Sequence, residues 1–189
     1  MNNITVYTDG ACYGGKNQVG AANEGGWGAV FFQDELCVKM LHNHSENTTN
    51  NREELKAILE AGKALLHMAT ITDGGISATI YSDSAYCVNI INQWMFKWHK
   101  AGWKKADKKE PENLDLITAL YELFYNNYTK IFPKCQINVV KLAGHCGIIG
   151  NELADALATH NTKKIEKIFL EHPEILNYNI NELDKGENI

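Results

Sequence analysis

The sequence predicts an α/β domain, a sheet part parallel and part antiparallel with helices packed on it. Two observations carry this. Stretches of strand and helix character follow one another as strand, hairpin pair, helix, strand, helices, strand, helix. The crossovers after the first and fourth strands are long, as parallel neighbours require, whereas the hairpin is tight, as antiparallel neighbours allow. A chain of 189 residues with 44% apolar content suits one domain with a real core and room for an appendage.

The elements are read in order. Residues 3–9 alternate apolar and polar as a strand. Residues 10–26 hold Gly10, Gly14, Gly15, Gly20, Gly25 and Gly26 and read as a loop. Residues 27–33 and 36–42 form a hairpin around Gln33-Asp34-Glu35. Thr48 to Asn51 suits a helix start, and Leu55, Ile58, Leu59, Leu65 and Leu66 recur at helical spacing over 51–68. After the break Asp73-Gly74-Gly75, a strand covers 77–82 and a short helix 84–92. A Trp- and Lys-rich stretch, 93–109, precedes a helix over 113–127. A last strand at 136–142, a loop at 144–150 and a helix at 151–160 complete the domain, 1–160. In the tail, 161–189, Ile165, Ile168 and Phe169 suit one or two amphipathic turns, which Pro173 ends. The last residues are mostly polar, so the tail is expected to be partly ordered at best and dispensable for activity.

Composition excludes several classes. No apolar run approaches the ~18 residues of a membrane helix. Met1-Asn2-Asn3 leads straight into a strand with no signal-peptide layout. Cys12, Cys37, Cys87, Cys135 and Cys146 are odd in number and scattered, which suggests neither a disulfide framework nor a zinc site and suits a reducing cytoplasm. A net charge of −5 argues against a protein that coats nucleic acid over its whole surface. Yet 97–109 carries six lysines, including Lys100, Lys104 and Lys105, against one acid, Asp107. That window is locally basic, and Trp94, Trp98 and Trp103 are interleaved with it. Such rings pack a short helix, and together with clustered lysines they also make a surface that tracks a phosphate backbone.

Chemistry is suggested by acids in matched settings. Asp9 and Asp83 end two strands as Tyr7-Thr8-Asp9-Gly10 and Tyr81-Ser82-Asp83-Ser84. If those strands are neighbours, two carboxylates meet, an arrangement a divalent cation stabilises. Glu54 rides the edge of the buried stripe with Ile58 and Ala61, while Glu53, in phase with Lys56, reads as solvent-facing. Asp155 lies beside the stripe Leu153, Ala154, Leu157, Ala158. Each acid alone has an ordinary explanation, in a turn or at a helix start. The joint pattern carries more weight.

Five motifs occur in one order: Tyr7-Thr8-Asp9-Gly10-Ala11-Cys12, Gly26-Trp27-Gly28-Ala29, Thr48-Thr49-Asn50-Asn51-Arg52-Glu53-Glu54-Leu55, Tyr81-Ser82-Asp83-Ser84, and Gly144-His145-Cys146-Gly147 continuing to Asp155. Over about residues 3–160 the chain resembles type 1 ribonuclease H, of the RNase H-like superfamily. The resemblance implies a five-stranded mixed sheet, the first three strands antiparallel and strands 1, 4 and 5 parallel, with helices on both faces. It implies Asp9, Glu54, Asp83 and Asp155 as ligands of two Mg²⁺ ions, with Mn²⁺ as an alternative, and His145 as an accessory histidine. Two such ions roughly 3.5–4 Å apart clamp the attacking and leaving oxygens of an in-line displacement. The expected reaction is endonucleolytic hydrolysis of the RNA strand of an RNA–DNA hybrid, leaving 5′-phosphate and 3′-hydroxyl ends, by a monomer.

The resemblance further places Thr49, Asn50 and Asn51 against substrate and makes 93–109, with Trp94, Trp98, Lys100, Trp103, Lys104 and Lys105, a basic protrusion that grips the DNA strand. Asn50 is also a natural helix cap. The segment from Tyr13 to Glu24 is longer than the family's usual loop and has no proline, and the tail lies outside the resemblance. Two other classes stay open: another nuclease or strand transferase on the same scaffold, and a hybrid-binding module without catalysis. The second has no need of four mutually repelling acids.

Overall fold

The computed structural model describes residues 1–13, 23–127, 134–143, 147–176 and 184–185. Its centre is a mixed sheet. Strand β1 (Asn2–Tyr13) pairs antiparallel with β2 (Glu24–Gln33), which pairs antiparallel with β3 (Leu36–Glu46). On the other side of β1 lies β4 (Ile76–Ser82), parallel to it, and then β5 (Cys135–Lys141), parallel to β4. The five expected strands are thus present with the expected directions. A two-residue strand β6 (Asp184–Lys185) adds to the β3 edge, giving the order β5-β4-β1-β2-β3-β6.

Helices cover both faces. Helix α1 (Asn50–Ile71) crosses from β3 to β4. Next come α2 (Ala85–Asn89), a π-type stretch Ile90–Trp94, α3 (Met95–Lys100) and α4 (Leu114–Tyr121), which runs into a second π-type stretch, Glu122–Asn127. Helix α5 (Ile149–Ala158) follows β5, and α6 (Thr162–Glu171) and a short 3-10 turn Pro173–Ile175 follow α5. Two glycines show which helix lies on which face. A Cβ on Gly10 would strike the backbone of Glu53 and Glu54 on α1, and a Cβ on Gly28 would meet the Ala154 carbonyl on α5. Gly28 pairs with Asp9, the neighbour of Gly10, so the two glycines point to opposite faces.

The core divides accordingly. On the α1 face Ile4, Val6, Trp27, Ala29 and Phe31 pack with Leu55, Ile58, Ile80, Met95 and Leu120. On the α5 face Val30, Phe32, Cys37 and Met40 pack with Leu153, Leu157, Ile168 and Ile175. Among the described residues no helix is long and apolar enough to cross a membrane.

Three expectations change. The ladder between β1 and β2 runs out to Tyr13 and Glu24, into the segment read as a loop. Gly25 and Gly26 belong to β2: a Cβ on Gly25 would meet Thr48 Cγ2 at 2.5 Å, and one on Gly26 the Ala158 carbonyl at 2.6 Å. These glycines permit close approach within a strand. Residues 14–22 lie outside the described residues. Second, the helix expected to end near 92 continues through the π-type stretch to Lys100. Third, the segment read as a tail contains the ten-residue helix α6, with Ile168 and Ile175 buried. The amphipathic turns anticipated around Ile165, Ile168 and Phe169 are a full helix because α5 and β3 offer them an apolar floor.

Candidate metal centre

The two strand-end acids meet because β1 and β4 are parallel and in register. Tyr7 pairs with Tyr81 and Thr8 with Ser82, so Asp9 and Asp83 follow side by side. The paired tyrosines stack, ring centroids 5.4 Å apart. Thr8 and Ser82 are fully buried. Thr8 Oγ1 donates to the Tyr81 carbonyl at 3.2 Å, and Ser82 Oγ accepts from the Ser84 amide at 3.1 Å, which holds the two strand ends. Glu54 arrives from the first turns of α1, laid directly on Gly10. Oxygens of Asp9, Glu54 and Asp83 lie within 4.8 Å of one another.

Such proximity disfavours three negative charges. Burial, and next the charge of Asp83, push the Asp9 carboxyl up to about 6, against the Gly10 amide that donates to Asp9 Oδ1 at 2.8 Å. Burial, then Asp9 and Asp83, push Glu54 up to about 9, with the Lys141 ammonium opposing. Glu54 Oε2 is buried and accepts no hydrogen bond among the described residues. A buried carboxylate oxygen without a donor, facing two further acids, suits a hard cation that prefers oxygen ligands. The residues present therefore fit Mg²⁺.

Asp155, on α5, is close enough for its charge to raise Asp9 further, yet it is not one of the three acids gathered within 4.8 Å. Its Oδ2 accepts from Lys164 Nζ at 2.6 Å, and the same ammonium pairs with Glu152 Oε2 at 2.6 Å. His145 lies outside the described residues.

The expected substrate residues divide by environment. Thr49 is the cap of α1, accepting from the Arg52 amide. Asn50, expected to suit a cap, instead accepts from the Cys12 amide at 2.6 Å and ties the helix start to β1. Asn51 is exposed. Trp94, Trp98 and Trp103 are half-buried and pack against the core, while Lys100 and Lys104 are exposed and Lys105 partly so. Lys104 is paired with Glu110 at 3.1 Å. Trp103 has a left-handed backbone, φ 60°, directly after Gly102 at φ 66°, so the chain turns sharply between Lys100, at the end of α3, and Lys104 and Lys105.

Two residues escaped sequence reasoning. Glu53 does not face solvent: it is 0% exposed, its carboxylate accepting from Ser45 Oγ at 2.9 Å, Lys56 Nζ at 2.8 Å and, closer still, Thr48 Oγ1. Helical phase placed it beside Lys56 correctly but could not show β3 folding over that side. Lys164 comes from α6, and a pairing across a helix–turn–helix junction leaves no periodic signature.

The RNase H family model matches residues 1–163. The ribonuclease H of Thermoanaerobacter sp. (strain X514) is 39% identical over 162 residues, covering 85% of this chain and 90% of that protein. The ribonuclease H of Caldicellulosiruptor saccharolyticus is 38% identical over 166 residues, covering 87% and 99%. Among solved structures, LC9-RNase H1, a type 1 RNase H with the type 2 active-site motif, superposes with a TM-score of 0.64 at 25% identity over 86% of this chain and 72% of that one. The foamy viral protease-reverse transcriptase in complex with an RNA/DNA hybrid shares the fold, at a TM-score of 0.63 and 20% identity, over 85% of this chain and 20% of that one. With the strand directions, the convergent acids and these relatives all in agreement, the chain belongs to the ribonuclease H family of enzymes.

Proposed function

We propose that this enzyme hydrolyses the RNA strand of RNA–DNA hybrids endonucleolytically with two divalent ions, Mg²⁺ foremost, held by Asp9, Glu54, Asp83 and Asp155, and leaves 5′-phosphate and 3′-hydroxyl ends. The observation that carries this reading is the buried Glu54 Oε2, without a donor among the described residues, beside Asp9 and Asp83. A silent binding module has no use for such a destabilising cluster. When bound, the ions supply Lewis-acid activation of water and charge stabilisation at the departing 3′ oxygen.

The chain's own residues do the rest. Asp9 and Asp83 project from the ends of two paired parallel strands, so their separation is set by the sheet. Glu54 is held to Asp9 by the seating of α1 on Gly10, and Asp155 approaches from the α5 side. Thr49 and Asn51 stand at the start of the same helix that delivers Glu54. An exposed amide there both donates and accepts, as contact with a ribose 2′-hydroxyl requires, and that hydroxyl distinguishes RNA from DNA. Asn50 supports them by binding β1. Trp94, Trp98 and Trp103 form the base on which Lys100, Lys104 and Lys105 are held out toward the DNA strand's phosphates. His145 serves as the accessory histidine, as proton carrier or helper of product release. We further infer a monomer working in a reducing cytoplasm, a setting that suits the free thiols Cys12, Cys37, Cys87 and Cys135.

The test is a cleavage assay on a hybrid, an RNA duplex and a DNA duplex, with analysis of the ends formed. The hybrid alone should be cut, giving 5′-phosphates, and Asp9→Asn should abolish turnover while leaving hybrid affinity intact or stronger. Cutting of the DNA duplex alone, or normal turnover by Asp9→Asn, would overturn the reading.

A further inference from the structure

Lys164 pairs with Asp155, the proposed ligand that stands apart from the three clustered acids. Its placement is built. Three residues separate α5 from α6, and the junction is tied by the Thr159 amide and Oγ1 donating to the Asp155 carbonyl at 2.9 and 2.7 Å and by the Asn161 amide donating to the Ala156 carbonyl at 2.8 Å. Asn161 caps α6 by accepting from the Lys164 amide itself at 3.0 Å. The Lys164 backbone is thereby fixed, and its ammonium reaches back over the turn to Asp155 Oδ2 and Glu152 Oε2, each at 2.6 Å. Ile168, one turn further along α6, is buried in the second core and holds the helix down.

We propose that Lys164 is a positioning residue that holds Asp155 in place of a divalent cation and thereby sets how tightly the site takes up its ions. This rests on the proposed role of Asp155 as a ligand. An ammonium at 2.6 Å occupies one carboxylate oxygen and cancels the charge that draws an ion to this side of the cluster. An arriving ion must displace it or use the other oxygen beside a like charge, and either costs affinity. While no ion is bound, the ammonium offsets the repulsion among Asp155, Glu152 and the three clustered acids. Lys164 lies at the edge of the stretch that the family model matches, 1–163.

The experiment is calorimetric titration of Mn²⁺ into the full-length, metal-free, substrate-free protein at fixed pH and ionic strength, for wild type, Lys164→Met, Lys164→Arg and Lys167→Met. Methionine keeps the aliphatic stem. Lys167, paired only loosely with Glu171 at 3.7 Å, is the control for an equal change in net charge. Lys164→Met should bind the weaker of two ions at least about fivefold more tightly, since removing a unit charge a few Å away is worth that much even in a strongly screened site. Lys164→Arg and Lys167→Met should stay near wild type. In the absence of metal the melting temperature of Lys164→Met should fall, and saturating Mn²⁺ should close most of the gap. Unchanged affinity in Lys164→Met, an equal gain in Lys167→Met, or a melting deficit that metal leaves untouched would overturn the proposal while leaving the metal centre standing. Absence of any Mn²⁺ uptake by the wild type, or uptake undiminished by Asp9→Asn, would instead remove the metal centre and this proposal together.

Discussion

Glu53 and Glu54 are adjacent on one helix turn, both buried, and treated in opposite ways. Glu53 meets three donors; Glu54 Oε2 meets none among the described residues. The first stabilises the fold; the second is the one that the proposed reading gives to an ion. Glu53→Ala should lower unfolding free energy by roughly 2–3 kcal/mol, the worth of hydrogen bonds to a buried charge, as read from urea denaturation. The acids also set a pH dependence. Asp9 and Glu54 are raised from ordinary values of 3.8 and 4.5 to about 6 and about 9, so between about pH 4 and 9 the folded protein holds protons that the unfolded chain has released. Stability of the metal-free protein should therefore fall as pH rises through that window. A cation binds the deprotonated carboxylates, so Mg²⁺ should suppress the fall, and its own affinity should climb with pH. Thermal melts at pH 5, 7 and 9 with and without Mg²⁺ check both; a metal-free melting temperature that rises from pH 7 to 9, above the range in which the lowered His160 acts, would contradict the burial of Glu54.

At the scale of elements, α1 is locked onto the sheet by a close approach, while α6 is held by burial in the second core beside α5. Seating α1 on Gly10 brings Glu54 to Asp9. Arg52 pins the same end of the helix to α4 with a two-pronged pair to Asp115, at 3.0 and 2.6 Å. Helix α6 and the turn after it bury Ile168 and Ile175 over Val30, Phe32 and Met40. Burying two isoleucines is worth roughly 3–6 kcal/mol, a large share of a domain's stability. Deletion of 177–189 should leave the melting temperature and cleavage near wild type, whereas deletion of 161–189 should lower the melting temperature by many degrees and remove the Lys164 pairing as well. Equal melting temperatures for the two truncations would show that α6 contributes nothing to the second core.

Over the whole molecule, charge is partitioned. The net charge of −5 coexists with a basic window at 97–109, set on an aromatic base in which His99 and Tyr121 stack at 4.2 Å and Trp103 meets His99 edge-on at 5.3 Å. Clustered lysines attract phosphate locally, whereas the rest of the chain carries a net negative charge. Replacing Lys100 and Lys105 together by Ala should weaken hybrid binding and reduce the slope of log K against log salt by about 0.9 for each phosphate no longer neutralised. Fluorescence anisotropy across a salt series measures it, and an unchanged slope would place the substrate elsewhere. Fold and hybrid-independent metal uptake should not change, because Lys100 is exposed and neither lysine is among the charges acting on Asp9 or Glu54.

The chain alone determined the strand and helix order, the two Tyr–x–Asp strand ends and the separate basic segment, because period and local chemistry are written within short windows. Tertiary structure decided what depends on contacts between windows. Parallel register made neighbours of Asp9 and Asp83. The approach of α5 and Thr48 explained Gly25 and Gly26 as strand residues, though their spacing suits a loop equally well. The fold of β3 over α1 turned Glu53 inward, and the short α5–α6 junction brought Lys164 to Asp155. In each case the deciding partner lies on a different element, and the energy of burial and charge pairing arises only when the elements meet.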